Sequence, residues 1–423
     1  MTRKDARQQA STLTALGLRI IILCCTLYLL SYFLRNCVAV IATDIQSTLG
    51  FTESNISLIS GSTMLAYGLM QLPAGALADA FGGRKVITAL LALAALGCVG
   101  LGLSPWASAA VGSRFMVGVG AAIYIPAITL LASHLPSNMY SRALGLMNAS
   151  GGIGGLLATV PMTALSQTLG WRGAVFASAL LTVAIALIFF MGTRDIAVPN
   201  HSAERFKPTL KNILNGIALV IWDRRFWPLC IWQMTVIGLS FMMITLWWFP
   251  YLVESAGLSK MQASTILSIG TLPLLLVPPI AAWFSDVVFK ARRWPLLALS
   301  FCCLGAVLMW VLLPGMGFGL HAFQALLFVV CASGGAVLNF TIVKETFPVR
   351  LVGTASGCVN MIYPIWAAVL QVLFGLIISF RLAKGADIQS AYSFAFLLAV
   401  ANISVAIFCA FLMKETFGKE QRS

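Results

Sequence analysis

Two arginines stand where a charged head group is expensive. Arg35 lies inside an apolar run, in Tyr32-Phe33-Leu34-Arg35-Asn36, and Arg114 opens another, Arg114-Phe115-Met116-Val117-Gly118-Val119-Gly120. A guanidinium offers five donors in a planar fork that fits carboxylate or phosphate. Holding such a charge in hydrocarbon costs about 2.5–3.5 kcal/mol on insertion scales. No Asp or Glu lies near the middle of any apolar run to balance the two. The pair therefore points to recognition of an anionic group. The bland alternatives are backbone carbonyls or Asp44 as partners of Arg35, and outward snorkelling of Arg114. Asp44 lies roughly 13 Å further along a continuous helix, too far for direct pairing.

The elements that carry these arginines follow from composition. Of 423 residues, 60% are hydrophobic and 9% charged, against about 25% charged in a soluble domain. The solvent of such a chain is largely lipid. A crossing needs about 20 apolar residues, and counting such runs predicts twelve spans: 18–43, 55–78, 86–104, 107–132, 143–166, 172–192, 227–252, 262–285, 294–313, 318–342, 354–379 and 391–413. The runs are continuous, so they are helices and not alternating barrel strands. The first run is too long for a signal-peptide core. The ten cysteines fall in apolar runs without metal or disulfide spacing, and read as small hydrophobes.

The net charge of +14 would suggest nucleic acid in a soluble protein. Here the basic residues lie between spans. With the N-terminus inside, 21 of the 27 Lys and Arg fall on inside segments, four fall outside and two are Arg35 and Arg114. The expected topology is an inner-membrane protein with both termini cytoplasmic. The longest polar stretch, 193–226, divides the chain into six-helix bundles at 1–192 and 227–423, and its part 210–221 is expected as an amphipathic surface helix. The halves echo each other. Leu135-Pro136 with Gly145 and Asn148 recurs as Phe347-Pro348 with Gly357 and Asn360, and Asp79 before Arg84-Lys85 recurs as Asp286 before Arg292-Arg293.

The stretch Gly75-Ala76-Leu77-Ala78-Asp79-Ala80-Phe81-Gly82-Gly83-Arg84-Lys85 resembles the G-x-x-x-D-x-x-G-x-[RK]-[RK] loop of the major facilitator superfamily. The run from Arg114 resembles the R-x-x-x-G-x-G signature of the same family. Tyr32 to Asn36 is similar to the Y-x-x-R-[KN] pattern of its organophosphate and organic-anion carriers. The resemblance implies an all-α fold of two pseudo-symmetric six-helix bundles, secondary transport, and a conformational latch at Gly75, Asp79, Gly82 and Arg84. A degraded copy of that latch holds Asp286 and Arg292, with Ala282 where Gly75 stands. It also implies that Arg35 binds the substrate's phosphate or carboxylate. The chain departs from those carriers in three places. Span seven has no basic residue, Leu34 precedes Arg35 where an acid is common, and Ala121 stands where a Glu follows the span-four Arg.

Other side chains could line a central cavity: Tyr32, Asn36, Tyr67, Gln71 and Tyr124 in the first half, and Gln233, Trp247, Asn339, Asn360 and Tyr363 in the second. Trp247 and Trp248 also fit an interfacial aromatic belt. The expected function is a carrier for a small organic anion, phosphorylated or carboxylated, with import favoured. The expected partners are that substrate, the bilayer, and a coupling proton or counter-anion. No cofactor, metal, nucleic acid or enzymatic activity is expected, and a monomer is the expected state. Carriage of an amino acid, small peptide or siderophore is the runner-up, and a non-transporting receptor on a carrier fold is the alternative of another class. Reporter fusions at the C-terminus and within 193–226 should both give cytoplasmic signals; a periplasmic C-terminus would overturn the twelve-span topology.

Overall fold

The computed structural model describes residues 3–135, 137–193, 217–313, 315 and 317–417. No strand occurs among them. The first half comprises α1 (Arg3–Asn36), α2 (Ala42–Leu49), α3 (Glu53–Phe81), α4 (Gly83–Leu103), α5 (Ala107–Gly120), α6 (Tyr124–His134), α7 (Ser137–Leu157) and α8 (Val160–Gly192). The second comprises α9 (Phe226–Met242), α10 (Lys260–Thr271), α11 (Pro273–Trp283), α12 (Arg293–Leu312), α13 (Phe318–Thr346), α14 (Val349–Ala383) and α15 (Ile388–Leu412). Beyond α9 the helix continues to Ser255 through two π-type turns, Met243–Trp247 and Tyr251–Ser255, and α11 ends in a third, Phe284–Phe289.

Among the described residues ten segments are long and apolar enough to cross a membrane. One of them, Ala143–Gly192, has 50 residues, more than twice the length of a crossing. It bends at Gly170 (φ 70°), a conformation that a Cβ would disfavour, and so supplies two crossings. The 29-residue α3 supplies one more. The fold is the expected twelve-helix arrangement. An even number of crossings leaves both chain ends on one side, called here the proximal face; the other is the distal face. The expected helix over 210–221 lies mostly outside the described residues.

Two expected spans are broken. The run 18–43 was expected as one helix, but α1 stops at Asn36 and α2 starts at Ala42 after a tight turn at Ala39–Ile41. The run 107–132 breaks between Gly120 and Tyr124. Hydropathy cannot reveal either break, because Cys37–Ile41 and Ala121–Ile123 are as apolar as their flanks. The breaks service each other. A helix end leaves carbonyls without partners; Ser31 Oγ of α1 donates to Ala121 O at 2.7 Å, and Arg114 Nη1 of α5 donates to Leu34 O at 3.0 Å.

Small residues set the helix spacing, as expected where lipid supplies no hydrophobic drive for helix association. α1 packs along α7, α4 along α5 and α8, α3 along α5, and α9 along α14 and α15. α3 also packs along α14, across the two halves. At Gly154 of α7 the backbone of α1 comes so close that a Cβ would lie 2.0 Å from Leu29 O; at Gly118 a Cβ would lie 2.3 Å from Thr63 O. Polar contacts between the halves gather toward the distal face. Lys260 pairs with Asp44, Thr163 with Ser264, Thr159 with Ser268 at 2.6 Å, and Ser54 with Ser379 at 2.8 Å. These contacts hold the two halves together toward the distal face.

Gly154→Ala should destabilise the fold by about 1–3 kcal/mol, the usual cost of overpacking. Gly145→Ala on the same helix, where a Cβ meets nothing within 4 Å, should be silent. Thermal denaturation of the detergent-purified variants checks the contrast; equal melting temperatures would contradict the close α1–α7 approach.

Candidate functional site

Tyr28, Tyr32 and Arg35 recur at helical spacing and share one face of α1. Tyr67 and Gln71 do the same on α3. These faces meet around the Arg35 guanidinium, which is 1% exposed. Its central carbon lies 4.2 Å from the Tyr32 ring centroid and 4.1 Å from that of Tyr67. From the second half, Phe241 of α9 lies 5.9 Å away and packs at a tilt against Tyr363 of α14, 4.8 Å between centroids. Tyr28 extends the wall, 5.0 Å from Tyr32 and 4.8 Å from Tyr124 of α6. The result is an aromatic cage built by both halves.

Inside it the guanidinium is held without a counter-ion. Nε donates to Ser31 O at 3.2 Å on its own helix, while Nη1 and Nη2 have no hydrogen-bond partner. The Oδ1 of Asn36 and the Oε1 of Gln71, both buried, are also unpartnered. Each ring face attracts the cation, by about 2 kcal/mol where both are dry. That attraction partly offsets the several kcal/mol needed to strip a charge of water. It leaves the fork edge of the guanidinium chemically unsatisfied, and an oxyanion is the group that satisfies two adjacent N–H donors at once.

The structure thus brings together Arg35, Tyr32, Tyr67 and Tyr363, with Tyr124 behind Tyr28, and places Asn36 and Gln71 on the same two helices. Asn360 is half-buried on α14, one turn before Tyr363. Four other expected cavity residues are engaged elsewhere. Arg114 caps the end of α1 through Leu34 O, beside Cys37, because a cation there complements the carbonyl end of a helix. Asn339 donates from Nδ2 to Gln233 Oε1 and to Leu229 O, both at 3.1 Å, which ties α13 to α9, while its own Oδ1 stays unpartnered. Trp247 donates to Gln371 O at 3.1 Å and packs on Phe374 and Tyr392. Trp247 and Trp248 are at most 1% exposed, so neither belongs to a lipid-facing belt.

Sequence reasoning missed Tyr28 and Phe241. Tyr28 had a signal, since it lies one turn before Tyr32 on the Arg35 face. Phe241 had none; it sits in the uninterrupted apolar run of α9.

The two loop motifs differ. In the first, Gly82 takes φ 89° at the turn, and Gly75 packs so tightly that a Cβ would lie 2.8 Å from Ile125. Arg84 donates from Nε to Phe190 O at 3.0 Å and stacks on the Phe190 ring. The Asp79 side chain lies outside the described residues. In the second, Arg292 pairs with Asp286 and, at 2.9 Å, with Glu345. The backbone N–H groups of Arg292 and Arg293 donate to Glu415 at 2.8 and 3.1 Å. Burial of Glu415 disfavours its charge, but these and neighbouring amides outweigh that and hold its carboxyl below the usual range. The two acids occupy matching places in a repeated tetrapeptide, Lys344-Glu345-Thr346-Phe347 and Lys414-Glu415-Thr416-Phe417. That repeat was the available signal.

Comparison with known proteins agrees with this architecture. A profile described as Major Facilitator Superfamily matches residues 24–371. The "Nitrite extrusion protein" of Bacillus subtilis is 22% identical over 319 residues, 75% of this chain and 76% of that one. The "Probable sulfoacetate transporter SauU" of Cupriavidus necator is 23% identical over 380 residues, 84% and 85% of the two chains. Among solved structures, a bacterial homologue of the human lysosomal transporter Spinster, in an inward-facing and unoccupied conformation, matches with a TM-score of 0.78. It is 16% identical over 94% of this chain and 96% of that one, a likeness of fold.

The two buried arginines should differ in what they do for stability. Arg114→Met removes the charge-assisted bond to Leu34 O, leaving that carbonyl only the weak Cys37 Sγ donor, and should lower the apparent melting temperature. Arg35→Met removes an unbalanced charge and should leave the substrate-free protein as stable or more so. Thermal unfolding in detergent distinguishes them; a large loss for Arg35→Met alone would reverse the assignment.

Proposed function

The chain belongs to the Major Facilitator Superfamily and is a multi-pass membrane transporter, and from that premise we propose that it carries a small organic anion across the inner membrane by alternating access. The observation that carries this reading is the Arg35 guanidinium, buried between both halves with Nη1 and Nη2 unpartnered. The names of the two relatives, nitrite and sulfoacetate, are consistent with an anionic cargo.

The proximal face is the cytoplasmic one on the distribution of Lys and Arg. The state described, with its halves held together toward the distal face, is then held together on the outer side. An anion entering the cage neutralises Arg35 and touches α1 and α3 of one half and α9 and α14 of the other. Binding energy is therefore available to pull the halves 1–192 and 227–423 together, and rocking about the site exchanges its access. The distal contacts suit such a cycle, because hydroxyl pairs and one partly exposed ion pair are weak enough to break. The glycine run at 151–155 lacks the adjoining proline of the superfamily's antiporters, which favours import. A coupling proton or counter-anion supplies the drive.

The test is ligand-induced thermal stabilisation of the purified protein by organic anions, amino acids and sugars, since a ligand of the folded state raises its stability as RT ln(1 + [L]/Kd). The expected result is stabilisation by anions. Arg35→Lys keeps the charge but loses the fork, and should weaken binding at least tenfold; Arg35→Ala should abolish it. Normal binding by Arg35→Ala, or response to neutral sugars alone, would end the anion reading and leave the transporter assignment intact.

A further inference from the structure

The cage has one charge and many rings. Around Arg35 stand Tyr28, Tyr32, Tyr67, Phe241 and Tyr363. Arg114 is turned to the end of α1, Lys260 is paired with Asp44, and α9 carries no basic residue between Trp227 and Leu252. Among the described residues Arg35 is the cation seated over the Tyr32, Tyr67 and Phe241 rings. A dianion in this cage would keep one negative charge buried without a partner, which low-dielectric surroundings penalise heavily. A monoanion leaves none.

Shape narrows the class further. An oxyanion that accepts from both terminal nitrogens of a guanidinium lies in the plane of the fork. The Tyr32 and Tyr67 rings present their faces to the guanidinium at about 4 Å. Whatever the anionic group is attached to leaves along the direction of the fork edge, among the neighbouring rings. From the second half stands Phe241, 6.3 Å from Tyr32 and 4.8 Å from Tyr363. Aromatic walls favour a planar π-surface, which gains offset-stacked or edge-to-face contacts beyond its area burial, over a puckered or strongly hydrated body.

We propose that the cargo is a monovalent carboxylate borne on a flat aromatic ring, with Arg35 binding the carboxylate and Phe241 and Tyr363 contacting the ring. This rests on the anion reading above and sharpens it: a phosphate monoester, which is doubly charged at neutral pH, is excluded from the preferred class. Phe241 becomes a specificity determinant contributed by the second half. Recognition of the ring is then what engages α9 and α14.

The experiment compares three probes on the purified full-length protein by thermal stabilisation and by calorimetry. Benzoate is flat and monovalent, cyclohexanecarboxylate has the same charge and similar size without the π-surface, and 3-phosphoglycerate adds a phosphate monoester, about two further charges at neutral pH, to its carboxylate. Benzoate should stabilise at a concentration at least tenfold below cyclohexanecarboxylate, and 3-phosphoglycerate should give no shift. Phe241→Leu should cut the benzoate advantage over cyclohexanecarboxylate at least fivefold. Should that variant not fold, the wild-type ratio of the two carboxylates decides alone. Equal binding of both carboxylates, or tighter binding of 3-phosphoglycerate, overturns the aromatic-acid proposal while the anion reading stands. Silence toward every anion tested, with a response to sugars, overturns both.

Discussion

A guanidinium buried without a counter-ion is the constraint around which the site is arranged. Arg35 cannot be solvated, since it is 1% exposed, and no carboxylate is supplied to it. The protein holds it with π-faces instead. That choice has a chemical consequence. A carboxylate partner would occupy the fork edge permanently and compete with any incoming anion, whereas rings stabilise the cation from its faces and leave the edge open. The aromatic character of the cage and the vacancy of its hydrogen bonds are thus two sides of one solution.

The same constraint explains why Arg114 behaves differently. It is equally buried and also leaves two nitrogens, Nε and Nη2, without partners, but its Nη1 reaches across to another helix, to the carbonyl of Leu34 where α1 ends. The break in α1 and the break between α5 and α6 are each completed by a side chain of the other element. Arg35 sits on the last turn of α1, so the cap on α1 also fixes the place from which Arg35 projects. One arginine positions the backbone and the other presents its charge.

Much of this was legible in the residues. Twelve crossings follow from apolar run lengths, and the two arginines stand out because charge is rare in such runs. The roles of the two were not separable, because the breaks at 37–41 and 121–123 leave no trace in hydropathy and set which arginine meets a carbonyl. Gln233, Asn339 and Trp247 read as cavity-lining because polar atoms in a span suggest a site. Each instead spends its hydrogen bonds inside the second half. Phe241 was invisible for the opposite reason, being one apolar residue among many, and its significance depends wholly on the other half lying opposite it.

The two ends of the molecule differ in how firmly they are tied. At the proximal end of the second half, Arg292 gathers Asp286, Glu345 and, through its backbone, Glu415, joining the turn after α11 to α13 and to the segment after α15. Such a network is internal to one half and is costly to break one member at a time. Across the halves the ties are hydroxyl pairs and the Asp44–Lys260 pair, whose side chains are 24% and 37% exposed. Each of these is worth little against water. Strong bonds within a half and weak bonds between halves are what rigid-body exchange requires, because the same motion must spare the first and break the second. The cage lies on that weak seam, between α1 and α3 of one half and α9 and α14 of the other.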